Sequence, residues 1–267
     1  MGIEIRELST LREFQQCVEI QKEVWGFDDP YDIVPLPLLM VSQRMGGVVL
    51  GAFQGDRMIG FVYSLPGVHH GLSAQWSHML AVVPELRNSD IGHELKMAQY
   101  AMSQKLGAAF LEWTFDPLES RNAYFNLNKL GCISKEYEIN IYGETSSPLH
   151  GGMPTDRLIA HWQIPLPAKT ILQWNDIPQA PALVTVSSAW KADLRVVEAV
   201  ILNSREPYLF LEIPVDIQRL RAESKEAALE WRLKTREVFV HYLANGYIVY
   251  SFLRRQNARS FYVLKKM

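Results

Sequence analysis

The run His78-Met79-Leu80-Ala81-Val82-Val83 is followed by Pro84-Glu85-Leu86 and then by Arg87-Asn88-Ser89-Asp90-Ile91-Gly92. The first six residues suit a strand, and the proline ends it. From Ile91 onward the apolar positions Ile91, Leu95, Ala98, Met102 and Leu106 recur every three to four residues, the period of an amphipathic helix, and Gly107 stops it. A strand feeding a tight loop into a helix N-terminus makes an anion site. The first four N–H groups of a helix lack intrahelical acceptors, and the helix dipole adds about half a positive charge. A diphosphate meets that demand. An ordinary helix start capped by Asn88 or Ser89 satisfies the same residues.

Upstream, Ile3-Glu4-Ile5-Arg6-Glu7-Leu8 alternates as a strand, Ser9 or Thr10 caps a helix over 11–24, and residues 38–44 form a short second helix. Residues 48–53 and 58–65 are two strands joined by Gln54-Gly55-Asp56-Arg57, a hairpin signal, and residues 75–83 are a third. Downstream come a strand over 108–114, a helix over 119–130 ended by Gly131, and strands over 133–142 and 157–164. Past Pro165 and Pro167 the composition resets. Strands over 183–186, 199–203 and 209–213, a helix over 224–244 stopped by Gly246, and strands over 247–253 and 260–264 complete the chain. The expected class is α/β, of the α+β kind, with one unit over 1–165 and a smaller α/β region over 166–267.

Apolar residues make up 48% of the 267, which is enough for a real core. Twenty-seven basic against 29 acidic side chains leave a formal charge of -2, so no electrostatic case for nucleic acid arises. Two cysteines, Cys17 and Cys132, are too few for a disulfide-stapled secreted chain, and no apolar run is long enough to span a bilayer. A cytoplasmic, membrane-free protein is expected. His69-His70 before Gly71 has no further ligands at metal spacing, so no metal is expected and the pair is read as part of a turn.

Val82-Val83-Pro84, Arg87 and Gly92 resemble the GNAT N-acyltransferase superfamily, whose pattern is Val-x-Pro, two residues, then Arg/Gln-x-x-Gly-x-Gly/Ala. Asp90 stands where the first glycine is usual. Further runs are Trp113-Thr114-Phe115-Asp116-Pro117-Leu118, Arg121-Asn122-Ala123, Leu130-Gly131, Tyr142-Gly143, Pro154-Thr155-Asp156-Arg157, Trp231-Arg232 and Gly246-Tyr247. They resemble a branch of that superfamily similar to enzymes that acetylate or succinylate amino acids. The resemblance implies a mixed central sheet whose fourth and fifth strands splay around an acyl-coenzyme A co-substrate. Main-chain contacts would come from Leu80, Ala81 and Val82. Arg87, Asn88, Ser89, Asp90, Ile91, Gly92 and His93 would hold the pyrophosphate, and Asn122 would reach the cofactor from the other side.

The implied reaction is attack of an amine on the thioester, which needs a proton acceptor. His78, Glu112 and Asp116 are the candidates, with Asp116 also suited to capping the turn at Pro117. The family's usual thiolate-protonating tyrosine is replaced by Leu127, leaving Tyr124, one turn earlier, as the substitute. Arg121 and Arg157 are candidates for a substrate carboxylate, and surface ion pairs are the plainer description of both. A small-molecule amine is the expected acceptor, and the 224–244 helix suits either a core or a homodimer face. The departures at Asp90 and Leu127 leave a second possibility, a catalytically silent acyl-coenzyme A binding or sensor protein.

Overall fold

The computed structural model describes residues 2–26, 30–87, 89–143, 152–177, 179–186, 195–255 and 259–267. They fall into two compact units, Met1–Trp113 with Trp162–Pro167, and Thr114–Glu144 with Gly152–His161 and Ala168–Met267.

The first unit runs β1 (Glu4–Glu7), α1 (Leu11–Trp25), α2 (Leu36–Arg44), β2 (Val49–Gln54), β3 (Arg57–His69), β4 (Leu72–Val82), α3 (Ile91–Lys105) and β5 (Phe110–Phe115, which leaves the unit after Trp113). Strands β1 to β4 pair antiparallel in sequence order, and β5 joins β4 in parallel, giving a mixed sheet. Helix α1 starts in a capping box. Thr10 accepts from the Glu13 amide, and the Glu13 carboxylate accepts from the amides of Thr10 and Ser9. Gly55 (φ 61°) forms the expected two-residue turn between β2 and β3. Phe14, Cys17, Leu39, Val49, Phe61, Tyr63 and Leu95 are among the buried residues of one apolar core.

The β3–β4 hairpin is longer than the sequence pattern suggests, because Pro66 and Gly67 look like a strand end. Pro66 pairs with Gln75 nonetheless. Strand β2 stops pairing at Tyr63, so beyond it β3 has an open edge, where a residue without an N–H is tolerated. The turn is made by His70 (φ 51°) and Gly71 (φ 76°), and His69 is the last strand residue.

The second unit contains α4 (Ser120–Tyr124), which runs on into a π-helical turn over Phe125–Lys129, then β6 (Tyr137–Glu138) and β7 (Arg157–Gln163, which leaves the unit after His161). Strands β8 (Val184–Val186) and β9 (Val197–Val200) form a hairpin. Strand β10 (Tyr208–Ile213), helices α5 (Ile217–Glu223) and α6 (Lys225–Ala244), and strands β11 (Tyr247–Arg255) and β12 (Arg259–Lys266) follow, with β12 between β10 and β11. Two expectations change here and one element is added. The strand over 133–142 reduces to β6 and single bridges at Ile133 and Ser134. The helix over 119–130 turns π-helical midway. Helix α5, seven residues long, carries too little periodicity to stand out. In α6, Trp231, Phe239 and Tyr242 are buried. No helix among the described residues is long and apolar enough to cross a membrane.

Candidate active site

Strand β5 accompanies β4 for only three rungs, Ala74 with Phe110, Gln75 with Leu111 and Trp76 with Glu112. Strand β4 then continues to Val82 with β3 alone beside it. The register with β3 shifts at this point, since Tyr63 faces Met79 while Ser64 faces Ser77. His78 is therefore the extra residue of a β-bulge, one position after the first unpaired residue. The Val83 amide donates to Ile59 O at 3.0 Å. Strand alternation then turns the main-chain groups of Ala81 and Met79 toward β3 and those of Leu80 and Val82 toward the side β5 has left. Ala81, expected among the main-chain contacts, thus has its N–H and C=O committed to the hairpin.

Helix α3 opens at the far end of the gap. The Asp90 carbonyl accepts from the Glu94 amide at 2.9 Å, while its carboxylate makes no capping bond. The amides of Ile91 and Gly92 precede the first intrahelical bond and so have no helical acceptor. Gly92 lies over β4. A Cβ there would meet Leu80 and Val82 side-chain methyls at 3.9 Å, an ordinary contact, so packing does not require glycine. The Arg87 guanidinium donates to Val24 O at 3.1 Å, and Ser89 Oγ donates to Leu86 O at 2.6 Å, so both side chains brace the loop that aims the helix. Ile91 is buried in the core and His93 is half-buried. Asn88 lies outside the described residues.

Where the strands part, a lysine is buried. Lys96, 2% exposed, reaches from α3 to Ser77 Oγ and Gln99 Oε1, both at 2.9 Å, and its ammonium lies 3.5 Å from the centroid of the Trp113 ring. Ser77 and Trp113 are the residues following the last rung on β4 and β5. Gln99 Nε2 and Trp162 Nε1 are also buried and without a hydrogen-bond partner. The site combines a cation with donors where two strands separate, an arrangement that favours a polar or anionic group. No local pattern marks it, since Lys96 sits among helix positions of both kinds.

On the opposite face Glu112 Oε2 lies 2.8 Å from His69 Nδ1. The buried carboxylate thus gains a partner 43 residues away, and His69, read from sequence as part of a turn, joins the candidate site. His78 keeps solvent access and stacks edge-on against Tyr63, with ring centroids 5.9 Å apart. Desolvation by its surroundings holds its pKa below the ordinary histidine value, so the imidazole is neutral at pH 7.

The remaining candidates belong to the second unit. Asp116 accepts from the Leu118 amide at 2.8 Å and from Arg232 Nη2 at 2.6 Å, with Arg157 Nη1 at 3.8 Å. A carboxylate so engaged is a turn cap and an ion-pair partner rather than a free proton acceptor. Arg157 is buried beneath Tyr142, contrary to its plainer description as a surface pair, and burial lowers its pKa. Tyr124 is exposed under the Arg254 guanidinium, 4.7 Å from its ring, and Leu127 is buried in the π-helical turn. Arg121 and Asn122 are exposed on α4. Among the described residues no cluster of three or more His, Cys, Asp or Glu side chains suits a metal ion.

No protein-family model matches the sequence, and no curated protein does. Among solved structures, the chain is similar to the ribosomal-protein-S18-alanine N-acetyltransferase from Escherichia coli, at 16% identity over 64% of this chain and 100% of that one, with a TM-score of 0.49. It is similar to an acetyltransferase of the GNAT family from Streptococcus pneumoniae, at 13% identity over 60% of this chain and 98% of that one, TM-score 0.49. An N-acetyltransferase from Thermoplasma acidophilum, solved in complex with coenzyme A, shows 18% identity over 61% of this chain and 99% of its own, TM-score 0.43.

Proposed function

We propose that this chain is an acyl-coenzyme A-dependent N-acyltransferase, moving an acetyl or succinyl group to the amine of a small acceptor such as an amino acid. The observation that carries the proposal is the parting of β4 and β5 after Trp76 and Glu112, with the main chains of Leu80 and Val82 turned toward the opening. An extended pantetheine fits that edge as an added strand, exchanging amide hydrogen bonds with the protein as a peptide would. The diphosphate then falls at the start of α3, where the amides of Ile91 and Gly92 supply donors. The thioester comes to rest near the apex, and the acceptor amine attacks its carbonyl carbon directly.

Coenzyme A should bind the unmodified chain in calorimetry. Acetyl- or succinyl-coenzyme A should release free thiol with at least one member of a panel of L- and D-amino acids, followed with a thiol-reactive dye. Absence of coenzyme A binding would sink the proposal. Binding without turnover would favour the silent-sensor alternative. Two observations lean that way: the first turn of α3 bears the acidic pair Asp90 and Glu94, and Leu127 is an apolar core residue.

A further inference from the structure

We propose that His69 is the general base of the transfer and Glu112 its positioning residue, an assignment that rests on the acyltransferase proposal above. Glu112 stands on the last rung before the strands part, and its side chain is only 6% exposed. A carboxylate that deep must be paired. Its partner is His69 Nδ1 at 2.8 Å, on a side chain that is itself 50% exposed. The carboxylate accepts, so Nδ1 carries the hydrogen and Nε2 presents its lone pair.

Two rings fix the plane of the imidazole. His70 lies against it with centroids 3.9 Å apart, and Phe110, on the same face of β5 as Glu112, meets it edge-on at 6.3 Å. The charged or titratable groups facing His69 are thus Glu112 from β5 and His70 from its own turn. No hydrogen-bond partner for Nε2 occurs among the described residues, so a carboxylate-oriented histidine stands with its acceptor nitrogen open. Neither rival has this arrangement. Glu112 has no exposed edge of its own, and no carboxylate among the described residues orients His78.

The chemistry balances without further reagents. The amine nitrogen forms a bond to the thioester carbonyl carbon, and His69 Nε2 takes the proton that the nitrogen must shed. The carbon–sulfur bond then breaks, the electron pair leaves on sulfur, and the thiolate is protonated by solvent while the imidazolium returns its proton to water. The products are an amide and free coenzyme A thiol.

In the full-length protein, His69→Ala should lower kcat/KM by about a hundred- to ten-thousand-fold, the usual worth of a positioned base. Coenzyme A affinity should stay within about threefold of the unmodified chain, and added imidazole should restore part of the lost rate. Glu112→Gln should lower the rate by a smaller factor. In 15N spectra of labelled histidine it should abolish the Nδ1–H tautomer that the unmodified chain shows for His69. His69→Ala retaining full turnover, or losing it together with coenzyme A affinity and without imidazole rescue, would overturn the assignment. A wild-type His69 in the Nε2–H tautomer would do the same even where no acceptor supports turnover. Failure of the unmodified chain to bind coenzyme A is a separate result and removes the acyltransferase proposal instead.

Discussion

Saturation with coenzyme A should change the exchange of two particular amide hydrogens on β4. In the free protein the amides of Met79 and Ala81 face β3, while those of Leu80 and Val82 face the side vacated by β5. The four should therefore exchange in alternation, slow at 79 and 81 and fast at 80 and 82. A pantetheine bound as an added strand gives Leu80 and Val82 acceptors. At a ligand concentration a hundred times Kd, only about 1% of the protein is free, so exchange through the free form should slow about a hundredfold, or about 2.7 kcal/mol. The alternation should vanish, because the slow pair stays slow and the fast pair joins it. Hydrogen exchange followed by NMR resolves neighbouring amides, which is what the comparison needs. If Leu80 and Val82 stay fast under saturating ligand, or are already slow without it, the strand-addition geometry is wrong.

Gly92→Ala should raise stability by about 0.5–1 kcal/mol, because alanine is the better residue in a helix and its Cβ meets only ordinary contacts at 3.9 Å. If a diphosphate approaches that backbone, calorimetry should show weaker coenzyme A binding by the same variant. Unchanged affinity would place the phosphates elsewhere. Lys96→Met keeps the stem but removes the ammonium's hydrogen bonds to Ser77 Oγ and Gln99 Oε1, which keep only the one between themselves at 3.0 Å, and urea unfolding should report a loss of about 1–3 kcal/mol. An unchanged midpoint would show the cluster to be energetically idle. The Glu13 carboxyl is held down from an ordinary value of 4.5 to a pKa of about 2, first by the Arg6 hydrogen bond, with the Ser9 and Thr10 amides and the Arg6 charge adding to it, against a desolvation that raises it. A depressed carboxylate contributes stability above the unfolded value and loses it as pH falls toward the folded one, so the contribution should fade between about pH 4.5 and pH 2. Glu13→Gln should flatten that part of an acid-denaturation curve, and an identical curve would refute the coupling.

Much of the first unit was legible because local chemistry wrote it. The Thr10 cap, the Gly55 turn and the period of α3 each follow from residues within one element, and the elements lie close to where those residues place them. Asp116 was legible for the same reason, since a carboxylate two residues before an amide, with proline between, is a local turn. What stayed hidden depends on partners distant in sequence. No period marks where β5 abandons β4, because the residues on either side of that point are equally suited to a strand. His69 and Glu112 are 43 positions apart, and two histidines before a glycine look like a turn from sequence, which for His70 they are. Lys96 on a helix reads as a solvated side chain until the sheet beneath it supplies Ser77 and Trp113. The Arg157 pair looked superficial because long-range burial is invisible in composition.

Alternate residues of a strand point to opposite faces, so the two positions at which β4 and β5 separate equip the gap unequally. Glu112 on the last rung turns to the His69 face, whereas Ser77 and Trp113, one residue on, turn to α3 and its buried ammonium. That parity would be lost farther along β4 if the strand ran regularly, because Leu80 and Val82, two positions apart, also meet α3 at Gly92, whereas Leu80 is three positions on from Ser77. The bulge resolves the mismatch. Its extra residue, His78, lets Ser77, Leu80 and Val82 share one face while Met79 and Ala81 hold their places against β3. A bulge also bends and twists the strand that carries it, and this one sits just past the last rung shared with β5. One inserted residue thus accounts for the main-chain groups turned into the opening and for the continuity of the α3 face along its length.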